Sequence, residues 1–173
     1  MKVLMIFDQT QAGLGGKENP NLELGGKMMP IGSASMLEPA LKEVDGKVVA
    51  TLYCGDGFFD ENKQEVTKKI IAMTQKINPD VIICGPAYNY KGYAKMCAVL
   101  AKALNRYTKI PAIAAMSQEN DETIAEYKDV INIVKMPKKG GTGLNDSLRN
   151  ICRLAKKKAN GEDVTEYAKQ ICY

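Results

Sequence analysis

Short apolar runs alternate along the chain with stretches whose apolar residues recur every three or four positions. Val3-Leu-Met-Ile-Phe7 is apolar throughout, the pattern of a strand buried on both faces. Lys47–Tyr53, Asp80–Cys84, Ile110–Met116 and Val130–Met136 supply four more predicted strands, with Gly85-Pro86 expected to end the third and Pro111 suited to an edge or a start. Val66, Ile70, Met73 and Ile77 share one helical face, as do Tyr93, Cys97, Leu100 and Leu104, and again Leu144, Leu148, Ile151 and Ala155. Ser35 and Glu38 read as a capping box, with Pro39 in the first turn of a helix running to about Val44. Asp60 is the expected cap of the helix that Asn78-Pro79 stops. A last short helix carries Val164, Tyr167, Ala168 and Ile171 on one side. Gly13 to Gly32 is Gly-rich, irregular and longer than a normal connection, and such loops usually serve function.

Strand and helix alternate about five times, and right-handed crossovers turn that order into a sheet. The expectation is one domain over residues 1–173: a doubly wound α/β fold of the Rossmann/flavodoxin-like class, with a mostly parallel five-stranded sheet and helices on both faces. No linker, internal repeat or low-complexity tract interrupts it.

Composition narrows the chemistry. The chain has 173 residues, no histidine and a formal charge of +4. Without histidine there is no Ser-His-Asp triad, Cys-His dyad or His-ligated zinc site. The five cysteines, Cys54, Cys84, Cys97, Cys152 and Cys172, contain no C-x-x-C pair, so no metal site is expected. An odd number of cysteines and a five-residue apolar start before Asp8 suggest reduced thiols in a cytoplasmic protein without a secretory signal. No apolar run approaches the ~20 residues of a membrane span. The net charge is too weak to argue for nucleic acid. It is uneven, however: Lys135 to Lys158 holds eight basic residues against Asp146 alone, which suits either an anion or a solvated helix face.

In an open α/β sheet, ligands bind beyond the carboxyl ends of the strands. That rule selects the loops Asp8–Gly16, Cys54–Phe59, Cys84–Tyr93, Ser117–Asn120 and Pro137–Gly143. Cys54 and Cys84 both end a strand ahead of a glycine. Each is either a thiolate favoured by a following helix N-terminus or a small buried hydrophobe. Asp56 and Glu119 are the best-placed carboxylates for a substrate ammonium or for acid–base work, although Asp56 can equally tie its own turn. Asn89 suits a carboxylate or a turn. Gly140-Gly141-Thr142-Gly143, beside Lys138 and Lys139, suits an anion or an ordinary helix start. It is not a Walker loop, and the Gly13 stretch is not a dinucleotide fingerprint.

At these loops the chain resembles a known family. Asp8-Gln-Thr-Gln-Ala-Gly-Leu-Gly-Gly-Lys-Glu18, Val48 to Asn62 with Cys54-Gly-Asp-Gly, and Asn78 to Asn89 with Gly92-Tyr93 are similar to successive signatures of the selenoprotein B component of the glycine, sarcosine and betaine reductases. The likeness continues through Ile110-Pro111 and Glu119-Asn120 to Asn160-Gly-Glu162. It implies a role in the reductive deamination of a small amino acid, an oxidoreductase chemistry of anaerobes with thioredoxin as reductant. The members are more than twice as long, and their selenocysteine lies in the half without a counterpart here. The resemblance therefore implies a stand-alone relative of the amino-terminal domain, a subunit or substrate-binding component whose pyruvoyl group and selenocysteine belong to partner chains. Signature positions carry over to Gln9, Gly15, Gly16, Cys54, Gly55, Asp56, Asn62, Gly85, Pro86, Asn89, Gly92, Tyr93 and Glu119. Cys54 is the candidate redox residue. Gln9, Gly15, Gly16, Gly55, Asp56, Gly85, Pro86, Asn89, Tyr93 and Glu119 are the candidate substrate contacts. The rival expectations are a non-enzymatic module for a small amino acid or anion, and a structural subunit docking through Tyr167, Ile171 and Tyr173. Partners are accordingly other reductase components or a second copy of the chain.

Overall fold

The strand predicted from Val3–Phe7 lies at the centre of the sheet, where both its faces are covered: all five residues are fully buried. In the computed structural model, which describes residues 1–173, six strands form one sheet. They are β1 (Lys2–Phe7), β2 (Gly25–Lys27), β3 (Lys47–Tyr53), β4 (Val81–Ala87), β5 (Ala112–Ser117) and β6 (Ile133–Met136). Their spatial order is β2-β3-β1-β4-β5-β6. β2 runs antiparallel to β3, and every other pairing is parallel.

The helices are α1 (Glu38–Lys42), α2 (Asp56–Glu61), α3 (Lys63–Ile77), α4 (Lys91–Tyr107), α5 (Asp121–Tyr127), α6 (Leu144–Ala159) and α7 (Thr165–Ile171). α2, α3 and α5 pack against α4, while α1 and α7 pack against α6. The periodic faces are the buried ones: Tyr93, Cys97, Leu100 and Leu104 of α4 and Leu148, Ile151 and Ala155 of α6 all point into the core. This is the expected doubly wound α/β architecture. Leaving β2 aside, the parallel strands lie in chain order second, first, third, fourth, fifth. The chain thus reverses its direction of travel at β1, and a crevice opens beyond the carboxyl ends of β1 and β4.

Several elements depart from expectation, each for a physical reason. The sheet has six strands rather than five, because Gly25–Lys27 of the long loop joins the edge. Its two glycines lie flat over Tyr53 and Leu52, and a Cβ on Gly25 would fall 2.5 Å from the Tyr53 hydroxyl. β4 does not end at Gly85-Pro86 but continues through it to Ala87, with a register shift against β5. Ser35 sits inside a 3₁₀ turn, Gly32–Leu37, and its hydroxyl donates to Gly32 O instead of capping a helix. Asp60 lies within α2 and ion-pairs Lys63, so it is not a cap either. The fifth predicted strand is shorter, and α5 precedes it. The terminal face is not free: Ile171 is buried, Cys172 bridges Val134, and the Tyr173 hydroxyl donates to Met116 O at 3.1 Å. It packs on the chain's own sheet, which removes it as a docking face. No helix is long and apolar enough to cross a membrane.

Candidate functional site

Three strand ends converge on the crevice. After β1 the chain turns at once: Asp8 Oδ1 accepts from Gln11 N at 2.7 Å, and Asp8 O accepts from Ala12 N at 3.0 Å. The long loop then folds back over the end of β3. Gly55 N donates to Leu22 O (2.8 Å) and Phe58 N to Pro20 O (2.9 Å). Gly55 is required by this approach, since a Cβ there would lie 2.1 Å from Pro20 O. The loop is thereby held across the crevice, which brings Lys17 and Pro20 to the same opening as Asp8, Asp56 and Lys91.

Two cavities result, sharing Thr10, Asn89 and Tyr90 as a common wall. One, of about 290 Å³, is lined by Asp8, Gln9, Asp56, Asn89, Lys17 and Lys91 among others, and is called the acidic cavity. The other, of about 370 Å³, is lined by Tyr88, Lys138, Lys139, Gly140, Gly141 and Leu144 with the shared wall, and is called the basic cavity.

The acidic cavity contains a built polar pair. Gln9 Nε2 donates to Asp56 Oδ1 at 3.0 Å, and Asp56 N donates to Gln9 Oε1 at 3.3 Å. Asp56 Oδ2 lies against Gly92 at the start of α4, where a Cβ would fall 2.3 Å away. Asp8 is 1% exposed. Burial raises its carboxyl from 3.8 to about 6, the Gln11 N–H opposes the rise, and the negative Asp56 adds to it. Neither Asp8 nor Asp56 belongs to any ion pair within the protein. At the rim, the Lys17 ammonium sits 4.7 Å over the Tyr90 ring, and Lys91 lies 3.7 Å from the exposed Glu122. Carboxylates below and ammonium groups above can hold a small zwitterion.

The thiols are placed differently. All five cysteines are buried and free. Burial, and then the charge of Asp56, push the Cys54 thiol up to about 12. Burial raises Cys84 as well. Cys54 follows the end of β3 and Cys84 lies in β4, with β1 between those two strands, so the thiols do not sit on neighbouring strands. Both are neutral thiols packed as small hydrophobes, without the lowered pKa that a helix N-terminus can confer.

Of the candidate substrate contacts, Gln9, Asp56 and Asn89 come together in the acidic cavity. Gly55 and Gly92 let the loop and Asp56 approach. Gly15 and Gly16 belong to the loop near Lys17 and line neither cavity; Gly16 N donates to Glu18 Oε1 at 2.7 Å. Gly85 and Pro86 are interior to β4. Tyr93 is fully buried and its hydroxyl donates to Ile6 O at 2.9 Å, tying α4 to β1. Asn62 caps nothing with its side chain and donates to Phe58 O at 3.0 Å. Glu119 is exposed on a 3₁₀ turn, accepts from Ser117 Oγ at 3.0 Å, and lies outside both cavities. Gly140 and Gly141 line the basic cavity, whereas Thr142 and Gly143 do not. Sequence reasoning selected the Asp8 loop without singling out Asp8. The available signal was a carboxylate directly after a fully apolar strand.

Comparison with known proteins gives this crevice its context. Residues 1–172 match the model of the family described as glycine/sarcosine/betaine reductase selenoprotein B. The chain is 32% identical over 162 residues to the sarcosine reductase complex component B subunit beta of Peptoclostridium acidaminophilum, covering 94% of this chain and 36% of that protein. It is 31% identical over 172 residues to the glycine reductase complex component B subunit gamma of Peptoclostridium litorale, 98% of this chain and 38% of the relative. With the betaine reductase complex component B subunit beta of P. acidaminophilum the identity is 23% over 155 residues, 90% of this chain and 34% of the relative. The chain thus spans little more than a third of the length of these relatives. No solved structure gives a significant match. With all but its last residue matched by the family model, the chain belongs to the glycine/sarcosine/betaine reductase selenoprotein B family.

Proposed function

We propose that this chain is a substrate-binding part of a reductase-complex component B, holding a small zwitterionic amino acid in the acidic cavity during reductive deamination. The observation that carries this reading is the pair of unpaired carboxylates, Asp8 and Asp56, beneath Lys17 and Lys91 in one small cavity at the topological switch point. Asp8 and Asp56 would receive the ligand ammonium, with Gln9 holding Asp56 in place through its two hydrogen bonds. Asn89 and the rim lysines would receive the carboxylate. The printed names of the relatives, reductase complex component B subunits for sarcosine, glycine and betaine, support the reductase setting.

In this reading the attacking nucleophile comes from outside the 173 residues. The five thiols here are buried, and Cys54 is protonated at neutral pH, so none replaces a selenolate. The selenocysteine and the pyruvoyl group that the family resemblance implies would sit on partner chains. This chain's contribution is to bind and orient the ligand and to keep its ammonium against two carboxylates.

The test is a ¹⁵N-NMR titration of the chain with glycine and sarcosine, joined to affinity capture from anaerobically grown native cells. Shifts confined to Asp8, Gln9, Asp56 and Asn89, with co-elution of a selenoprotein or pyruvoyl-bearing chain, are the expected result. Absence of any shift at millimolar amino acid would sink the cavity assignment. A second reading, a binding module with no part in the chemistry, draws on the buried thiols and on the basic cavity. It predicts ligand shifts with no reductase chain captured.

A further inference from the structure

We infer, building on that reading of the acidic cavity, that the site selects an ammonium that still carries N–H and discriminates against a fully N-methylated one. Asp8 and Asp56 read the N–H groups, and Lys17 blocks the place a quaternary ammonium would take.

Asp8 is buried, its Oδ1 accepts from the Gln11 N–H at 2.7 Å, and the Thr10 and Asp8 N–H groups also favour its charged form, so the protein itself supplies only backbone donors to this carboxylate. Asp56 Oδ1 accepts from the Gln9 amide, and its Oδ2 rests against Gly92, which has no side chain to donate. Both carboxylates line the cavity and neither has a cationic partner within the protein, so a donor from the ligand can reach them there. Two like charges, one of them buried and neither in an ion pair, are costly unless a cation arrives between them. An ammonium with N–H meets both needs through short, directional charge-assisted hydrogen bonds.

A quaternary ammonium offers no donor and holds its charge behind a shell of methyl groups. Its natural host is an aromatic face. The acidic cavity contains one aromatic side chain, Tyr90, and the Lys17 ammonium already lies 4.7 Å from its ring centroid. The face is occupied. A metal ion is a poorer fit than an organic cation, because no three of the Asp, Glu and Cys side chains come together as ligands.

The experiment is a calorimetric titration of the 173-residue chain near neutral pH with a graded series: glycine, N-methylglycine, N,N-dimethylglycine and trimethylglycine. The carboxylate is constant, and the N–H count falls from three to none. Affinity is expected to fall along the series, with the trimethyl compound weaker than glycine by on the order of 10-fold or more. Asp8→Asn should weaken glycine about 10-fold and erase most of the gap. Lys17→Ala should free the Tyr90 ring and raise trimethylglycine binding relative to glycine. Thermal melts of both variants verify that they fold. A flat series, or tightest binding of the trimethyl compound, overturns the selectivity and leaves the cavity reading standing. Failure of all four to bind overturns the cavity reading itself, and the inference falls with it.

Discussion

The acidic and basic cavities share a wall of Thr10, Asn89 and Tyr90, yet they are built on different terms. In the acidic cavity a carboxylate that is 1% exposed has its pKa raised to about 6, and the loop over it is clamped by backbone hydrogen bonds to Pro20 and Leu22. In the basic cavity the charges of Lys138 and Lys139 are solvated, and the glycine turn beside them touches little. A Cβ on Gly140 would meet nothing within 4 Å. A buried, unpaired charge costs stability until a ligand compensates it, whereas exposed lysines cost nothing when the site is empty. The first arrangement carries a cost that the proposed ligand would offset. The second is equally well explained as a solvated helix start.

The sharpest way to break the comparison is to press on the clamp. Gly55→Val would drive its side chain into Pro20 O, which already lies 2.1 Å from the position of a Cβ, so the loop must move or the end of β3 must distort. A loss above about 3 kcal/mol is expected, toward the upper end of overpacking costs. Chemical denaturation measures it. A loss under 1 kcal/mol would mean that the loop is not held against the strand end.

Next in size is Asp8→Asn, and its sign is opposite. The folded carboxyl titrates near 6 and an unfolded one near 3.8, so the native state binds more protons between those values. Wild-type stability therefore declines as pH rises from about 4 to 6 and levels off above. Asparagine keeps an oxygen for the Gln11 N–H and can donate its amide toward Asp56. The variant should gain up to about 3 kcal/mol at neutral pH, the advantage vanishing below about pH 4. Paired melts at the two pH values read it out. Ligand affinity for the wild type should fall in the opposite direction, as acid neutralises Asp8 through pH 6.

How far the molecule is legible from sequence follows the same division. β1, β4 and β5 are legible because strands buried on both faces are written in apolar residues, the half-buried β3 because of its Val48-Val49 run, and α4 and α6 because their buried faces repeat with helical period. β2 was invisible: Gly25 and Gly26 have no side chains to show a pattern, and pairing with β3 is what makes them a strand. The helix for which Asp60 is the expected cap is α3, which begins at Lys63 after Asn62; the chain before it forms the separate helix α2 from Asp56, because Gly55 supplies the extended position that begins it. The Gln9–Asp56 pair joins residues 47 apart, and no spacing rule reaches across that distance. Glu119 and Asp56 looked alike as carboxylates after strands. Only the folded arrangement separates them: Asp56 is held by Gln9 of the loop after β1 and lines the acidic cavity, whereas Glu119 accepts from Ser117 of its own turn and lines neither cavity. Placing Asp8 in the same cavity as Asp56 needs the same knowledge.

The smaller effects lie in the basic cavity. Gly140→Ala meets open space, so its cost is that of a left-handed backbone at φ +77 alone, about 1 kcal/mol. Smallest of all, Lys138→Ala and Lys139→Ala together should change stability by no more than about 0.5 kcal/mol, because both side chains are exposed and neither is in an ion pair. They should also leave glycine affinity unaltered, since neither lysine borders the acidic cavity. A drop in amino-acid binding in the double variant, measured by the same calorimetry, would mean that a ligand reaches across the shared wall. The two cavities would then be halves of one site, with the carboxylates taking the ammonium and the lysines taking the anionic end.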